Sequence, residues 1–382
     1  MEAWIIDAVR TPRGRGKADG GLHPVHPQDL AGAVLNALKE RNKLNPQDVD
    51  DVIMGCVTQT DEQGCNVARA AVLASGWPIE VPGFSLNRFC ASGLQAVNVA
   101  AQAVASGSDG LVIAGGVEAM SRVPMGSDMG ALSPNLIERF PDLCTQGQSA
   151  EMIADKYEYK RPALDAFAVA SQQKAARAIA EGRFAKSIVP MKVQQADGST
   201  KTITADEHPR ATTTMEGLAK LKASFRENGV HHAGNSSGIV DGASAVLLAS
   251  PQRAKELGLK PRAKIIAMAQ AGSDPILMLL GPIPSTQKVL KKAGMTVKDI
   301  DIFEINEAFA VVPLACARDL GIEMEKVNVN GGAIALGHPL GATGAMLVGT
   351  AIDELERTGK KTALITLCIG YGMGVSTIIE RM

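Results

Sequence analysis

The order of elements in this chain is written twice, and a repeat of that kind limits the fold more than any single motif. Residues 28–41, QDLAGAVLNALKER, place Leu30, Val34, Leu35 and Leu38 on one helical face and are followed by LNPQDVDDVIMG. Residues 285–293, STQKVLKKA, read as a second helix and are followed by MTVKDIDIFEIN. Setting Asp48 on Asp299 matches V-D with I-D and brings two apolar strands into register. Further along, a strand at Phe84–Asn87, the loop NRFCASG, a small-residue helix at Gly93–Ala105 and a strand at Leu111–Ala114 return in outline. Their counterparts are a strand in KVNVN, a glycine-rich loop, a helix over 341–357 and a strand over 362–367. The residue match is weak but the order agrees, and it predicts a duplicated α/β unit.

Between the copies, residues 120 to 240 break the rhythm. They hold Met-, Gly- and Pro-rich loops, one long helix from Pro162 to Gly182 and the polar stretch QADGSTKTITADEHPR. An insertion of this size reads as a covering for a site or as a partner contact. The chain has 382 residues, 46% apolar and 21% charged, which is globular composition. Its 39 Lys and Arg nearly cancel 40 Asp and Glu, so the basic excess of a nucleic-acid binder is missing. The N-terminus MEAWIIDAVRTP is not a secretory signal, and the absence of an apolar run of membrane length predicts no membrane span. Six scattered cysteines with no C-x-x-C pair read as reduced thiols, giving a cytoplasmic protein with neither a disulfide scaffold nor a structural metal site. The 39 glycines beside 3% aromatics point to backbone packed closely on backbone or ligand.

Three places carry chemistry. Cys90 lies where a strand gives way to a helix, in N-R-F-C-A-S-G, and a thiol at a helix N-terminus is drawn toward the thiolate. A small buried core cysteine is the competing reading. His338 stands in GGAIALGHPLGATG, too rich in glycine for a packed core histidine and without the spacing of a nucleotide-binding loop, as is the earlier GRGKADGG. Cys368 opens C-I-G-Y-G-M-G before a last strand, VSTIIE, and backbone N–H groups beside a thiol there suit an oxyanion hole, although taken alone a glycine-rich hairpin around a buried cysteine is the stronger reading. Two thiols and one imidazole in loops of a duplicated fold suggest covalent thiol chemistry with a second cysteine exchanging protons.

NRFCASG, NEAFA at 306–310, NGGAIALGHPLGATG and C-x-G-x-G, in that order, resemble the signature set of the thiolases. The similarity runs essentially end to end and includes GNSSGIVDGA and SDPILMLLGPIP. It implies the thiolase fold: α/β, two similar mixed-sheet half-domains about a pseudo-twofold, layered αβαβα, with an inserted loop domain. The expected division is 1–119 with 240–261 for the first half, 120–239 for the loop domain and 262–382 for the second half. Carried over position by position, Cys90 resembles the cysteine that takes the acyl group, and His338 the histidine that activates it. Cys368 is similar to the second, proton-moving cysteine. Asn306 matches the asparagine that fixes a water in one oxyanion hole, and the N–H groups of Cys90 and Gly370 would form the other. Arg210 and Ser237 match positions that hold the adenine and pantetheine of coenzyme A. Phe225, Ala233, Met278, Ala308 and Phe309 match the lining of the pantetheine tunnel and acyl pocket.

The resemblance further implies no metal and no cofactor, with coenzyme A and acyl-CoA thioesters as substrates. It implies a homodimer or homotetramer and leaves open a hydratase or dehydrogenase partner. There are departures. Where acetoacetyl-CoA-forming relatives carry H-M-G-x-T-A-E, this chain reads T-Q-G-Q-S-A-E, and Gly217 replaces a small serine. Pro313 is expected to kink the NEAFA helix, and the stretch from Met120 to Glu151 is short. The change at Gln146 widens the expected acyl pocket and offers an amide to a polar tail, which favours a degradative enzyme for larger or functionalised 3-ketoacyl-CoA. The alternatives are a biosynthetic acetyl-CoA acetyltransferase, a ketoacyl-carrier-protein synthase, disfavoured by Cys368, and a non-catalytic CoA-thioester or lipid carrier.

Overall fold

The computed structural model describes residues 2–195 and 197–382; Met1 of the first half and Ala196 of the polar stretch lie outside the described residues. The first copy runs β1 (Trp4–Arg10), α1 (Pro27–Asn42), β2 (Asp51–Gly55), α2 (Val67–Ala74), β3 (Phe84–Leu86), α3 (Ser92–Ser106) and β4 (Leu111–Ala119). The intervening segment carries α4 (Gln146–Lys156) and α5 (Arg161–Ala180), and the chain then returns to the first copy as β5 (Val240–Ala249). The second copy is β6 (Ala263–Gly272), α6 (Pro282–Ala293), β7 (Ile302–Ile305), α7 (Val311–Leu320), α8 (Leu340–Thr358), β8 (Thr362–Ile369) and β9 (Met373–Arg381).

The strands lie in the order β3-β2-β4-β5-β1-β6-β9-β8-β7. Reading outward from the middle, each copy gives two antiparallel neighbours and then a parallel pair, β4 with β2 and β8 with β7. The two sheets meet edge to edge where Trp4 pairs with Lys264 and Ile5 with Ala263. The repeat extends to side chains. Asp50 accepts the N–H groups of Gly110 and Leu111 at 2.7 and 2.9 Å, and Asp301 accepts those of Lys361 and Thr362 at 2.9 and 3.0 Å. Each carboxylate pins the parallel strand entering behind it, as the alignment of V-D with I-D requires.

Leu30, Val34, Leu35 and Leu38 of α1 are buried, so the predicted apolar face is the packed one. α1 and α2 cover the outer side of the first sheet and α6 and α7 cover the second, while α3 and α8 pack on each other between them. This is the five-layered αβαβα sandwich. The two middle helices touch through glycine. A Cβ on Gly116 would stand 1.9 Å from the Gly341 carbonyl oxygen, one on Gly93 2.7 Å from the same atom, and one on Gly344 2.1 Å from the Leu94 nitrogen. No real Cβ tolerates such distances, so the junction excludes every other residue type.

Three local expectations are corrected. KVNVN forms no strand; only Val327 bridges to Phe303, because the Asn328 side chain takes over the ladder. Its Oδ1 accepts Ile305 N–H and its Nδ2 donates to Ile305 carbonyl, both at 2.8 Å. NEAFA is a loop and the helix begins after it at Val311, so Pro313 falls in the first turn, where no intrahelical N–H bond is required, and it kinks nothing. The last strand also starts earlier than VSTIIE, at Met373.

The glycine junction yields a prediction. Gly116→Ala should lower stability by more than about 3 kcal/mol, the upper end of ordinary overpacking, because backbone rather than a yielding side chain stands in the way. Gly130→Ala, with nothing within 4 Å of its new methyl group, serves as the control. Equal denaturation midpoints for the two variants would contradict the packing argument.

Candidate active site

Cys90 sits at the tip of an elbow between β3 and α3. Asn87 Nδ2 donates to the Val57 carbonyl at 2.9 Å while its Oδ1 accepts Phe89 N–H at 2.8 Å. Ser92 Oγ accepts Arg88 N–H and donates to the Phe89 carbonyl. These bonds hold Phe89 in the left-handed region, φ 45°, a conformation that costs a non-glycine residue of the order of 1 kcal/mol and is kept only where neighbours enforce it. The thiol that results is buried against Val57, Met120 and Leu340.

The helix N-terminus does not carry the day electrostatically. Burial is the dominant influence and pushes the Cys90 thiol up to about 11, opposed by a hydrogen bond from Gln146 and by its own backbone N–H. The pull of the helix terminus toward the thiolate is thus opposed by burial, which favours the neutral thiol. Gln146 is the first residue of α4, set there by the reciprocal capping of Thr145 and Gln148, and its Nε2 donates to Cys90 Sγ at 3.7 Å.

His338 follows the short turn 333–336, and its N–H donates to the Gly238 carbonyl at 2.9 Å. Nδ1 lies 2.5 Å from Thr343 Oγ1, whose own hydrogen goes to the Pro339 carbonyl at 3.0 Å. Taking the hydroxyl as acceptor assigns the proton to Nδ1 and leaves the Nε2 lone pair turned toward Asn306. Asn306 Nδ2 points at that lone pair from 3.3 Å. Burial, aided by the positive charge of Arg13, lowers the His338 imidazole to about 3, so the ring is neutral at any working pH.

Cys368 is fully buried near the end of β8, and burial together with the neighbouring Cys90 and Cys316 thiols holds it well above the ordinary thiol range. The turn that follows, Gly370 to Gly372, has Tyr371 at φ 60° and Gly372 at φ 74°. A Cβ on Gly370 would meet Gln146 Nε2 and the Phe89 ring, each at 3.6 Å, and Tyr371 stands edge-on to Phe89 at 5.5 Å. Cys90, Gln146, Phe89, Gly370 and Cys368 thus converge, with Asn306 and His338 forming a second, hydrogen-bonded pair.

The other expected positions divide. Ser237 donates its N–H to the Ala308 carbonyl at 2.9 Å, which laces the 235–240 segment to the NEAFA loop. Met278, Ala308, Phe309 and Cys368 belong to one core cluster, against which Phe225 packs. Phe225 meets Phe309 edge-on at 5.4 Å and crowds Gly147. Ala233 is exposed. Arg210 is exposed on the covering segment, its backbone N–H held by Gln172 Oε1 at 2.8 Å, and no described contact joins it to the thiols. Sequence reading missed Thr343, although it lies one helical turn beyond the histidine, and it missed Glu118. That carboxylate is fully buried and accepts the N–H groups of Val57, Thr58 and Gly341 and the amide of Gln63.

A thiol that must be deprotonated on demand, an imidazole kept neutral with one nitrogen open, and a second thiol at the same focus equip a protein for acyl transfer through a covalent thioester. Family comparison agrees. Residues 3–252 match the model of the thiolase N-terminal domain and residues 259–381 that of the thiolase C-terminal domain, and the chain belongs to the thiolase family of acyltransferases. It is 47% identical to a beta-ketoadipyl-CoA thiolase of Acinetobacter baylyi, over all of this chain and 99% of the relative. It is 45% identical to the 3-oxoadipyl-CoA/3-oxo-5,6-dehydrosuberyl-CoA thiolase of Escherichia coli, over the full length of both. The crystal structure of the Bacillus anthracis acetyl-CoA acetyltransferase superposes with a TM-score of 0.92 at 39% identity, covering 100% of this chain and 99% of that one. Among the described residues, no helix is long and apolar enough to cross a membrane.

The neutral resting pair makes a pH prediction. Because the thiol titrates near 11, the rate of Cys90 alkylation by iodoacetamide in the free protein should climb about tenfold per pH unit through pH 7–10, with no plateau near neutrality. Gln146→Met should slow alkylation at fixed pH by roughly tenfold, the worth of one hydrogen bond to a developing charge. A flat profile above pH 7 would mean a thiolate–imidazolium pair at rest.

Proposed function

We propose that this acyltransferase works in the degradative direction, cleaving 3-ketoacyl-CoA with coenzyme A to acetyl-CoA and a shortened acyl-CoA. Its preferred substrates carry a functionalised, carboxylated acyl chain of the 3-oxoadipyl type. The observation that carries this reading is full-length similarity at 45% and 47% identity to two proteins named for such substrates. The Gln146 amide stands where acetoacetyl-CoA-forming relatives place methionine. Since its Nε2 is engaged with the Cys90 sulfur, we assign it to the nucleophile rather than to the acyl tail.

In this scheme the Cys90 thiol gives its proton to His338 Nε2, and Sγ attacks the C3 carbonyl of the substrate. Collapse of the tetrahedral adduct breaks the C2–C3 bond. The acetyl-CoA carbanion that leaves takes a proton from Cys368, and the acyl group remains on Cys90. Coenzyme A then passes its thiol proton to Cys368 and attacks the acyl-enzyme, and the Cys90 thiolate that leaves takes its proton back from His338, which restores all three groups. His338 with a water fixed by Asn306 in one oxyanion hole, and the N–H groups of Cys90 and Gly370 in the other, stabilise oxyanions in the two half-reactions. Arg210 and Ser237 hold coenzyme A, and the scheme needs no metal or further cofactor.

Three measurements test it. Acetyl-CoA should add one acetyl group to the wild type and none to Cys90→Ala, as read by intact-mass spectrometry; a stable acetyl group on Cys368 alone would reverse the assignment. Cys368→Ala should still acylate but lose turnover by about two to four orders of magnitude, the usual worth of a positioned acid–base group. In a thiolysis panel, 3-oxoadipyl-CoA should exceed acetoacetyl-CoA in kcat/KM by about tenfold or more, given about 1–3 kcal/mol per fitted group. If acetoacetyl-CoA ranks first, the enzyme is biosynthetic.

A further inference from the structure

Behind the Asn306–His338 pair lies a narrow cavity, just large enough for a single water, whose largely apolar lining is interrupted by Arg13, Glu304, Asn306 and Thr350. Glu304 and Asn306 are two apart on the extended chain of β7 and its continuation, so their side chains leave the same face. Glu304 is wholly buried and neither carboxyl oxygen has a partner among the described residues. The same holds for Asn306 Oδ1 and for Nε of Arg13, a residue 2% exposed whose Nη1 faces Asp206 Oδ2 at 3.5 Å. Unpaired buried polar atoms are costly, and several of them around one cavity mark a place where a hydrogen-bonding guest belongs.

We propose that the cavity holds one ordered water bridging Glu304 and Arg13 to Asn306 Oδ1, which makes Glu304 a positioning residue for the Asn306–His338 pair. The water gains three partners, the number a buried water normally has. The tautomer of His338 requires that Asn306 present Nδ2 forward, and the amide then necessarily turns Oδ1 back into the cavity. An amide left loose there could flip and set an oxygen against the His338 lone pair. Burial and the negative charges of Glu307 and Glu354, opposed by Lys174 and Arg13, hold Glu304 well above the ordinary carboxylate range. That shift favours the carboxylic acid, the form with both a donor and an acceptor to offer the water.

The inference rests on the thiolysis reading for its effect on turnover, so it is tested by a readout that does not. Glu304→Gln keeps a donor and an acceptor, whereas Glu304→Leu keeps only the volume. Glu304→Leu should lower kcat for 3-ketoacyl-CoA thiolysis tenfold or more with KM within twofold. It should also slow Cys90 alkylation by iodoacetamide at pH 8 at least fivefold. Glu304→Gln should stay within threefold of wild type in both. In an Asn306→Ala background the leucine substitution should have no further effect, since the partner through which it acts is gone. Should Glu304→Leu fail to fold, Thr350→Ile, which fills the cavity with Glu304 in place, should show the same two losses. Wild-type alkylation rates in the folded leucine or isoleucine variant, additive losses with Asn306→Ala, or a high-resolution crystal structure with a dry cavity would each overturn the proposal. A wild-type protein without thiolysis activity would overturn the functional reading alone, and the alkylation series would still decide this one.

Discussion

Everything at the site depends on how closely two helices are allowed to approach. α3 delivers Cys90 and α8 delivers His338, and the starts of these helices cross where Gly55, Gly93, Gly116, Gly341 and Gly344 leave no room for a Cβ. The Glu118 carboxylate lies in the same crossing and accepts N–H groups from Val57 and Thr58 in the first copy and Gly341 in the second. A buried carboxylate is costly unless its lone pairs are filled, and here they are filled only when both copies are in place. Steric contact sets the distance between the halves, and Glu118 sets their register.

The junction also explains why the groups at the site are uncharged. Helices packed that tightly shut water out, and exclusion of water raises both thiols and lowers the imidazole. The dipole of α3 and the Gln146 amide work against a larger desolvation term. A nucleophile held as a neutral thiol is inert toward adventitious electrophiles and oxidants, since the thiolate is the reactive form. Preorganised donors facing a substrate carbonyl would supply stabilisation as the oxyanion forms.

Much of this was legible in the sequence. The repeat of LNPQDVDDVIMG in MTVKDIDIFEIN foretold matching strands, and the structure adds that the aligned Asp50 and Asp301 accept equivalent N–H pairs. The glycine count foretold close backbone contact. What escaped were properties that depend on three-dimensional surroundings. The resting state of Cys90 follows from burial, which outweighs a helix terminus that sequence can show. Val327 to Asn330 has the alternation of a strand, but Asn328 satisfies Ile305 with its side chain and so ends the sheet. Pro313 looked disruptive only while NEAFA was read as helical. Glu304 could not be told from any strand-end acid until its two oxygens were seen to face a cavity.

The strand order has a consequence for how the molecule is made. β1, residues 4–10, lies between β5, residues 240–249, and β6, residues 263–272. At ribosomal speeds its first lateral partner emerges on the order of tens of seconds after it does. Throughout that interval an apolar strand waits with both edges open, and the five-layered core cannot close. Such a topology has high contact order, which makes assembly slow and leaves the nascent chain exposed to aggregation. β1 is thus made well before both of its neighbours and is one of the last strands that can be fully paired.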